Sequence, residues 1–161
     1  MRILILSGAM LAMGGCCFGG SAPPPPVNLA PGFTPQPTTA NGTAGGINEA
    51  SSLNAECRGR IPLIPQHTIN VTAQIPALTV MVNGGTADTT LVIATPTGQY
   101  LCNDDSGDPG NSLNPSYTGA FAPGTYMVYV GSFNTDDQGV RYTLGFTEAA
   151  GAVASSLPPP S

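Results

Sequence analysis

Apolar and polar residues alternate along several short segments between residues 57 and 147. The segments run over 67–74, 77–84, 89–95, 99–103, 117–121, 125–133 and 140–147. In the sixth of them, Tyr126, Val128 and Val130 share one face of an extended chain, which is typical of a strand that buries one side. The third is almost continuously apolar, as expected of a strand in the middle of a sheet. Turn-forming residues separate the segments, so the pattern predicts about seven short strands.

Repeated short strands without a long helical pattern favour one class of fold. We expect an all-β protein, an antiparallel β-sandwich of jelly-roll type with a single domain over 51–148. Before it, residues 18 to 46 are rich in Pro, Gly, Thr and Ala and carry no charge, as extended linkers do. We therefore predict a disordered N-terminal linker within 16–50. The chain end, 149–161, is predicted as a disordered tail, with a short docked helix over 148–155 as the alternative.

The N-terminus has the organisation of a secretory signal peptide. One arginine precedes an apolar run that ends at Met13 and is too short to cross a bilayer as a helix. The following MGGC resembles a bacterial lipobox, in which the cysteine is lipidated and becomes the first mature residue. We expect a signal peptide over 1–15 and an acylated Cys16, which would anchor the protein in the bacterial envelope, at the outer membrane. Two alternatives stay open, lipidation at Cys17 and an ordinary cleaved signal peptide of a secreted protein.

The charge balance restricts the partners. The chain has 4 Lys and Arg against 9 Asp and Glu, a formal net charge of -5. Nucleic-acid binding requires a cationic surface that displaces counterions from phosphates, and docking on anionic lipid has the same requirement. We therefore expect no nucleic-acid partner and no anionic lipid surface.

Two cysteines remain once the leader pair is set aside. In an exported protein, Cys57 and Cys102 are expected to form a disulfide. Closing a loop of about 45 residues stabilises a fold by about 4 kcal/mol in the chain-entropy model. Two free thiols or a metal-binding pair are the alternatives.

Carboxylate and amide side chains are concentrated in the sequence CNDDSGDPGN at 102–111. The stretch does not fit an EF-hand, because Pro109 and Pro115 fall where the glycine and the bidentate glutamate are required when counting starts at Asp104. An irregular calcium site is still compatible with the composition, since calcium accepts six to eight oxygen ligands. Its candidate ligands are Asp88, Asn103, Asp104, Asp105, Asp108 and Asn111, with Asp88 contributed by a neighbouring loop.

The structural alternative for the same stretch is a turn without metal. Asp and Asn at a strand end accept hydrogen bonds from backbone amides two residues further on. A second acidic segment, NTDDQG at 134–139, is predicted to be a solvated hairpin loop.

Residues 87–148 contain an ordered set of motifs: Asp88 before an apolar strand, the turn at Gly98, the pair Asp104–Asp105 followed by Gly107, then PGTYMVYVGS and a closing YTL. In this order they resemble a known family, the bacterial pre-peptidase C-terminal domain, a β-sandwich appended to secreted peptidases. The segment 61–78 departs from the family, which usually opens with an Asp-rich stretch and an aromatic strand. The resemblance implies a non-catalytic module for secretion, adhesion or substrate association, and a calcium role.

The residues do not form a recognisable catalytic constellation. His67 is the only histidine, and the adjacent Asp104 and Asp105 would point to opposite faces of a strand. Tyr100, Tyr117 and Tyr129 are candidates for an aromatic platform that binds glycan or peptide, or for ordinary packing residues.

Together these observations favour a non-enzymatic, lipid-anchored envelope module for binding or adhesion, for which calcium is a candidate cofactor and whose partner is an extracellular or envelope protein or polysaccharide. The sequence does not identify the ligand-binding residues. A structural envelope component and an accessory or remnant of a secreted peptidase are the alternatives.

Overall fold

A computed structural model of the chain describes residues 24–110 and 113–161. Its strands are β1 (Val27–Leu29), β2 (Thr38–Thr43), β3 (Asn48–Glu49), β4 (Arg60–Ile61), β5 (His67–Val71), β6 (Ile75–Asn83), β7 (Thr89–Ala94), β8 (Tyr100–Asn103), β9 (Ser116–Phe121), β10 (Gly124–Ser132) and β11 (Arg141–Thr147). Two short 3₁₀ turns lie at Ala50–Ser52 and Ala154–Ser156. The predicted signal peptide and Cys16 lie outside the described residues.

The strands form two sheets that pack face to face. The larger sheet has seven strands and is built around β10, which pairs with β7 along one side and with β5 and β4 along the other. Beyond these neighbours lie β8, β1 and β3. The smaller sheet has the order β2-β11-β6-β9. All pairs are antiparallel except β1 with β5, so the prediction of an all-β antiparallel sandwich is confirmed.

The core lies between the two sheets and uses the alternation seen in the sequence. Tyr126, Val128 and Val130 of β10 point inward and are almost fully buried. They face the apolar side of β11, where Leu144 and Phe146 have no exposed surface. The period-two pattern therefore identified the buried face of both strands.

The folded region is larger than the sequence analysis predicts, and the N-terminal boundary is corrected. Residues 27–49, predicted as part of a linker, contain β1, β2 and β3. Strand β2 pairs with β11 from Thr38 to Thr43, and Leu29 of β1 is buried in the core. An edge strand is held by backbone hydrogen bonds along one side, so the polar sequence TTANGT can form one without an apolar face.

The C-terminal segment also differs from its prediction as a disordered tail. The turn Ala154–Ser156 and Leu157 pack on the outer face of the smaller sheet, against Met81. A Cβ on Gly145 would collide with the Leu157 side chain, so the glycine makes room for it. Residues on both faces of β6 and β11 are buried for this reason. The segment is docked, but the alternative of a helix over 148–155 is not found, because only the 3₁₀ turn Ala154–Ser156 forms there.

The described residues contain no helix that is long and apolar enough to cross a membrane.

Candidate binding surfaces

One end of the sandwich collects three connections that carry carboxylates. They follow Asn83, Asn103 and Ser132, and they meet because the antiparallel pairing of the strands brings these strand ends to the same side. We call this region the acidic end, and its carboxylates are Asp88, Asp104, Asp105, Asp108, Asp136 and Asp137.

Two carboxylates at the acidic end are held in surroundings that disfavour their charged forms. Burial raises the pKa of Asp104 to about 6, with further contributions from the charges of Asp88 and Asp105 and a smaller opposing effect of Arg58. The Asp104 Oδ1 atom is shielded from solvent and has no hydrogen-bond partner. Burial also raises the pKa of Asp88, followed by the charges of Asp105 and Asp137. Asp88 therefore lies near Asp104 and Asp105, as expected from the sequence of a residue in a neighbouring loop.

Asp137 is part of this cluster although the sequence analysis placed 134–139 in a solvated loop. Its Oδ2 atom accepts a hydrogen bond of 3.2 Å from the backbone N–H of Asp88. The two loops meet because Thr89 pairs with Ser132 across β7 and β10. No local pattern in the sequence reports that pairing.

Two further predicted calcium ligands, Asn103 and Asp108, shape the backbone instead. Asn103 Oδ1 accepts a hydrogen bond of 2.9 Å from the N–H of Ser116. Asp108 is buried, and its Oδ1 accepts 2.8 Å hydrogen bonds from the Gly110 N–H and the Ser155 hydroxyl, while its Oδ2 accepts one of 2.6 Å from the Ser155 N–H. Asp108 thus connects the acidic loop to the docked C-terminal segment.

The described residues contain no group of three or more His, Cys, Asp or Glu side chains arranged to hold a metal ion. Asn111 lies outside the described residues. The calcium site therefore stays a prediction. Of its predicted ligands, Asp88, Asp104 and Asp105 lie close enough for their charges to interact.

The single histidine is a core residue. His67 is 4% exposed, and its Nε2 atom lies 2.7 Å from the hydroxyl of Tyr142, which has no exposed surface. Burial lowers the pKa of His67. The imidazole is therefore engaged inside the sandwich, away from any substrate that approaches from solvent.

A second apolar cluster lies on the outer face of the larger sheet. The disulfide Cys57–Cys102, with its Cα atoms 5.3 Å apart, confirms the predicted pairing. It holds the segment 50–61 over β7 and β8, where Ala50, Ile61 and Val92 are buried together.

Two tyrosines converge beside this disulfide. Tyr100 and Tyr129 are partly buried and pack against the same cluster as Leu53; burial and then the nearby Tyr100 raise the pKa of Tyr129. We call Leu53, Tyr100 and Tyr129 the tyrosine face. A shallow concavity of about 540 Å³ is lined by Leu53, Asn54, Gly98, Gln99, Tyr100 and Leu101. A smaller one of about 190 Å³ lies between Leu53, Tyr129 and Leu63, and no charged side chain lines either concavity.

Tyr117 belongs to a different surface. It lies on β9 in the smaller sheet, where its ring packs edge-on against Phe121 with centroids 6.2 Å apart. A cavity of about 310 Å³ lies next to it, between the turns that follow β7 and β9. The structure therefore joins two of the three candidate tyrosines and separates the third.

These features define a class of protein, a disulfide-linked β-sandwich with an acidic end and an uncharged aromatic face. No protein-family model matches the chain, and no curated protein matches it. Among solved structures, the chain is similar to the pre-peptidase C-terminal domain of a collagenase from Bacillus anthracis, with 16% identity and a TM-score of 0.47. The match covers 80% of this chain and 100% of that one.

Proposed function

We propose that the protein is a non-catalytic binding module of the bacterial cell envelope that holds an uncharged polysaccharide on its tyrosine face. The observation that carries the proposal is the convergence of Tyr100 and Tyr129 beside two shallow concavities with no charged lining residue. Tyrosine rings offer an apolar face and a hydroxyl group. The side-chain amide of Gln99 supplies hydrogen-bonding groups next to them, which is the combination that a neutral sugar requires. The Asn54 amide is already engaged, since its Oδ1 accepts from the Glu56 N–H and its Nδ2 donates to the Tyr100 carbonyl.

The placement of His67 supports a role without catalysis. A general base must reach the proton that it removes, and the His67 Nε2 atom is instead hydrogen-bonded to Tyr142 in the core. This histidine is buried between the sheets. It is therefore not available as a proton-transfer partner for the carboxylates of the acidic end.

Anchoring completes the proposal. An acylated Cys16, with the preceding residues removed as a signal peptide, would attach the module to the membrane. Mass spectrometry of the mature protein tests this part separately, since diacyl or triacyl cysteine adds a defined mass to the N-terminal peptide.

Calcium binding at the acidic end is a second candidate function. The specific observation in its favour is the shielded and unpartnered Asp104 Oδ1 atom beside the charges of Asp88 and Asp105. A divalent cation would offset the repulsion among these groups. Asn103 and Asp108 are already engaged in backbone hydrogen bonds, so we assign them a structural role in this site.

Depletion from solution by insoluble polymers tests the binding proposal. We expect the mature chain to bind a neutral polysaccharide such as cellulose or chitin. The Tyr100→Ala and Tyr129→Ala variants should bind at least fivefold more weakly, while the matched control Tyr117→Ala should bind like the wild type. Equal losses in all three variants, or binding only to an extended protein such as gelatin, would contradict a polysaccharide site on this face.

A further inference from the structure

Three large aliphatic side chains project from one edge of the larger sheet. Ile47, Leu63 and Ile64 are 82%, 76% and 70% exposed, the highest values among the large hydrophobic residues that the structure describes. We call these three residues the aliphatic edge. Exposure of this kind at neighbouring positions marks an interaction surface.

Strand pairing brings the three side chains together. Asn48 pairs with Ile61 across β3 and β4, so the next position outward places Ile47 beside Pro62. A Cβ on Gly46 would collide with the Ile61–Pro62 peptide, which confirms how closely the two segments approach.

Residues 62–65 bulge out of the sheet for a topological reason. Arg60 pairs with Ser132 and His67 with Val128, so both ends of the connection lie against β10. The chain between them is longer than the stretch of β10 beside it, and the excess projects outward with Leu63 and Ile64 at its tip.

The N-terminal part of the chain joins the fold next to this tip. Strand β1 runs parallel to β5 with Val27 opposite Ile69, so the residues before β1 and the bulge before β5 approach the sheet from the same direction. Pro24, Pro25 and Pro26 are exposed there. A chain that is anchored upstream therefore leaves the sandwich beside the aliphatic edge.

The distance available to that upstream chain is short. Residues 17–23 separate Cys16 from Pro24, and even fully extended they span no more than about 28 Å. Because sheets in a sandwich pack about 10 Å apart, this reach is comparable to the thickness of the domain itself. Because β1 begins at Val27, a lipid on Cys16 would hold the sandwich directly at the membrane.

The charge distribution suits contact with a neutral surface. Neither 24–48 nor 61–87 contains an Asp, Glu, Lys or Arg residue. The adjacent charged pair, Arg60 and Glu49, forms an ion pair of 2.6 Å. Burying the aliphatic edge would therefore not strip water from an isolated charge.

From these observations we propose that the aliphatic edge docks on the surface of a zwitterionic bilayer and inserts Leu63 and Ile64 below the headgroups. The inference rests on the lipid anchoring included in the proposed function. Two or three aliphatic side chains bind a bilayer only weakly by themselves, and the tether raises their effective concentration at the surface.

The absence of tryptophan from the sequence permits a direct test. Ile64→Trp places a single reporter on the aliphatic edge, and Met127→Trp places a matched one at another partly exposed position, on the outer face of β10. The acylated full-length mature chain is reconstituted into phosphatidylcholine vesicles containing brominated acyl chains. We expect a blue-shifted emission and at least twofold quenching for Ile64→Trp, with neither for Met127→Trp. Equal quenching of both reporters, or of neither, would overturn the proposal.

A second anchor separates failure of docking from failure of the lipidation proposal. The chain from residue 17 onward carries an N-terminal hexahistidine tag and is held on the same vesicles by a nickel-chelating lipid. Quenching of Ile64→Trp here supports docking even if mass spectrometry shows no acyl group on Cys16. Adding Leu63→Ser should reduce that quenching at least twofold without changing the thermal midpoint, and an unchanged signal would count against insertion.

Discussion

Asp104 has surroundings at the acidic end that disfavour its charged form. Its pKa is raised to about 6 by burial, with contributions from Asp88 and Asp105. A carboxyl group whose pKa is higher in the folded than in the unfolded state stabilises the fold while protonated, and this contribution is lost as the pH rises through the folded pKa. Asp104 should therefore favour the fold near pH 4 and oppose it above pH 6.

We predict that Asp104→Asn raises the free energy of unfolding at pH 8 by about 1 kcal/mol, a value reduced for the partial exposure of the group. The variant should have little effect at pH 4, where the wild-type side chain is protonated in the fold. Urea unfolding in EDTA across this range measures the difference. Asp136→Asn is the matched control, because it removes one charge from the acidic end without removing a charge that acts on Asp104. An equal increase in the free energy of unfolding of both variants would show that removing any charge from the acidic end has this effect.

If the acidic end binds calcium, the ion should reverse the effect of Asp104→Asn on stability, so that the substitution destabilises the fold. At pH 8 with millimolar calcium, the wild type should unfold at a higher temperature than in EDTA because the ion binds only the folded state. Asp104→Asn should lose that increase. A wild-type midpoint that does not respond to calcium would assign the acidic end to turn formation alone.

His67 should impose the opposite pH dependence. Burial lowers its pKa, so the unfolded chain takes up a proton before the folded one, and stability falls as the pH drops below about 6.5. We predict that His67→Gln flattens the loss of stability between pH 6.5 and 5, at a cost of about 1–3 kcal/mol at pH 8 from the altered contact with Tyr142. Urea unfolding of both proteins at each pH provides the comparison, and a parallel pH dependence would contradict it.

At the level of elements, the docked C-terminal segment acts as a cover for the smaller sheet. Leu157 is 3% exposed and contacts the outer face of β6 and β11. We predict that Leu157→Ala lowers the free energy of unfolding by about 2–4 kcal/mol, whereas Pro159→Ala in the exposed part of the same segment leaves it unchanged. Hydrogen exchange of the amides of Ser155 and Leu157 should accelerate in the first variant. Unchanged exchange would mean that hydrogen bonds to Asp108 and from Asn83 hold the segment without the Leu157 side chain.

The strands differ in how readily the sequence reveals them. β10 and β11 bury alternate apolar residues and were predicted from that period. β2 has the sequence TTANGT and is held by backbone pairing to β11 at the edge of its sheet, so it leaves no apolar period to detect. The same limit applies to the acidic end, where Asp137 approaches Asp88 through the pairing of β7 with β10. Contacts that depend on strand order cannot be predicted from a local sequence pattern. The disulfide is the exception, because only Cys57 and Cys102 remain to pair once the leader cysteines are set aside.

At the scale of the whole molecule, charge and apolar surface are separated. The acidic end gathers six of the carboxylates, while 24–48 and 61–87 carry no charged side chain. The tyrosine face lies on the outer side of the larger sheet, and the aliphatic edge lies where the chain enters that sheet. A module docked by this edge would cover the smaller concavity, which Leu63 itself lines. The larger concavity beside Tyr100 would stay accessible, because most of its lining comes from β8 and the turn before it, on the side of β10 opposite to β4 and β5.

The extent of the domain provides the most direct test of the architecture. A chain limited to 51–161 lacks β1, β2 and β3 and leaves the pairing edges of β5, β11 and β4 uncovered. It also lacks Leu29 and Ala44, which are 1% and 4% exposed in the intact fold. Because single domains of this size are stable by only about 5–15 kcal/mol, we predict that 51–161 does not unfold cooperatively in urea, whereas 24–161 does. Circular dichroism at both far- and near-ultraviolet wavelengths should report the difference. If 51–161 unfolded with the same midpoint as 24–161, the N-terminal strands would be dispensable for the fold, and the short tether proposed between Cys16 and Pro24 would lose its support.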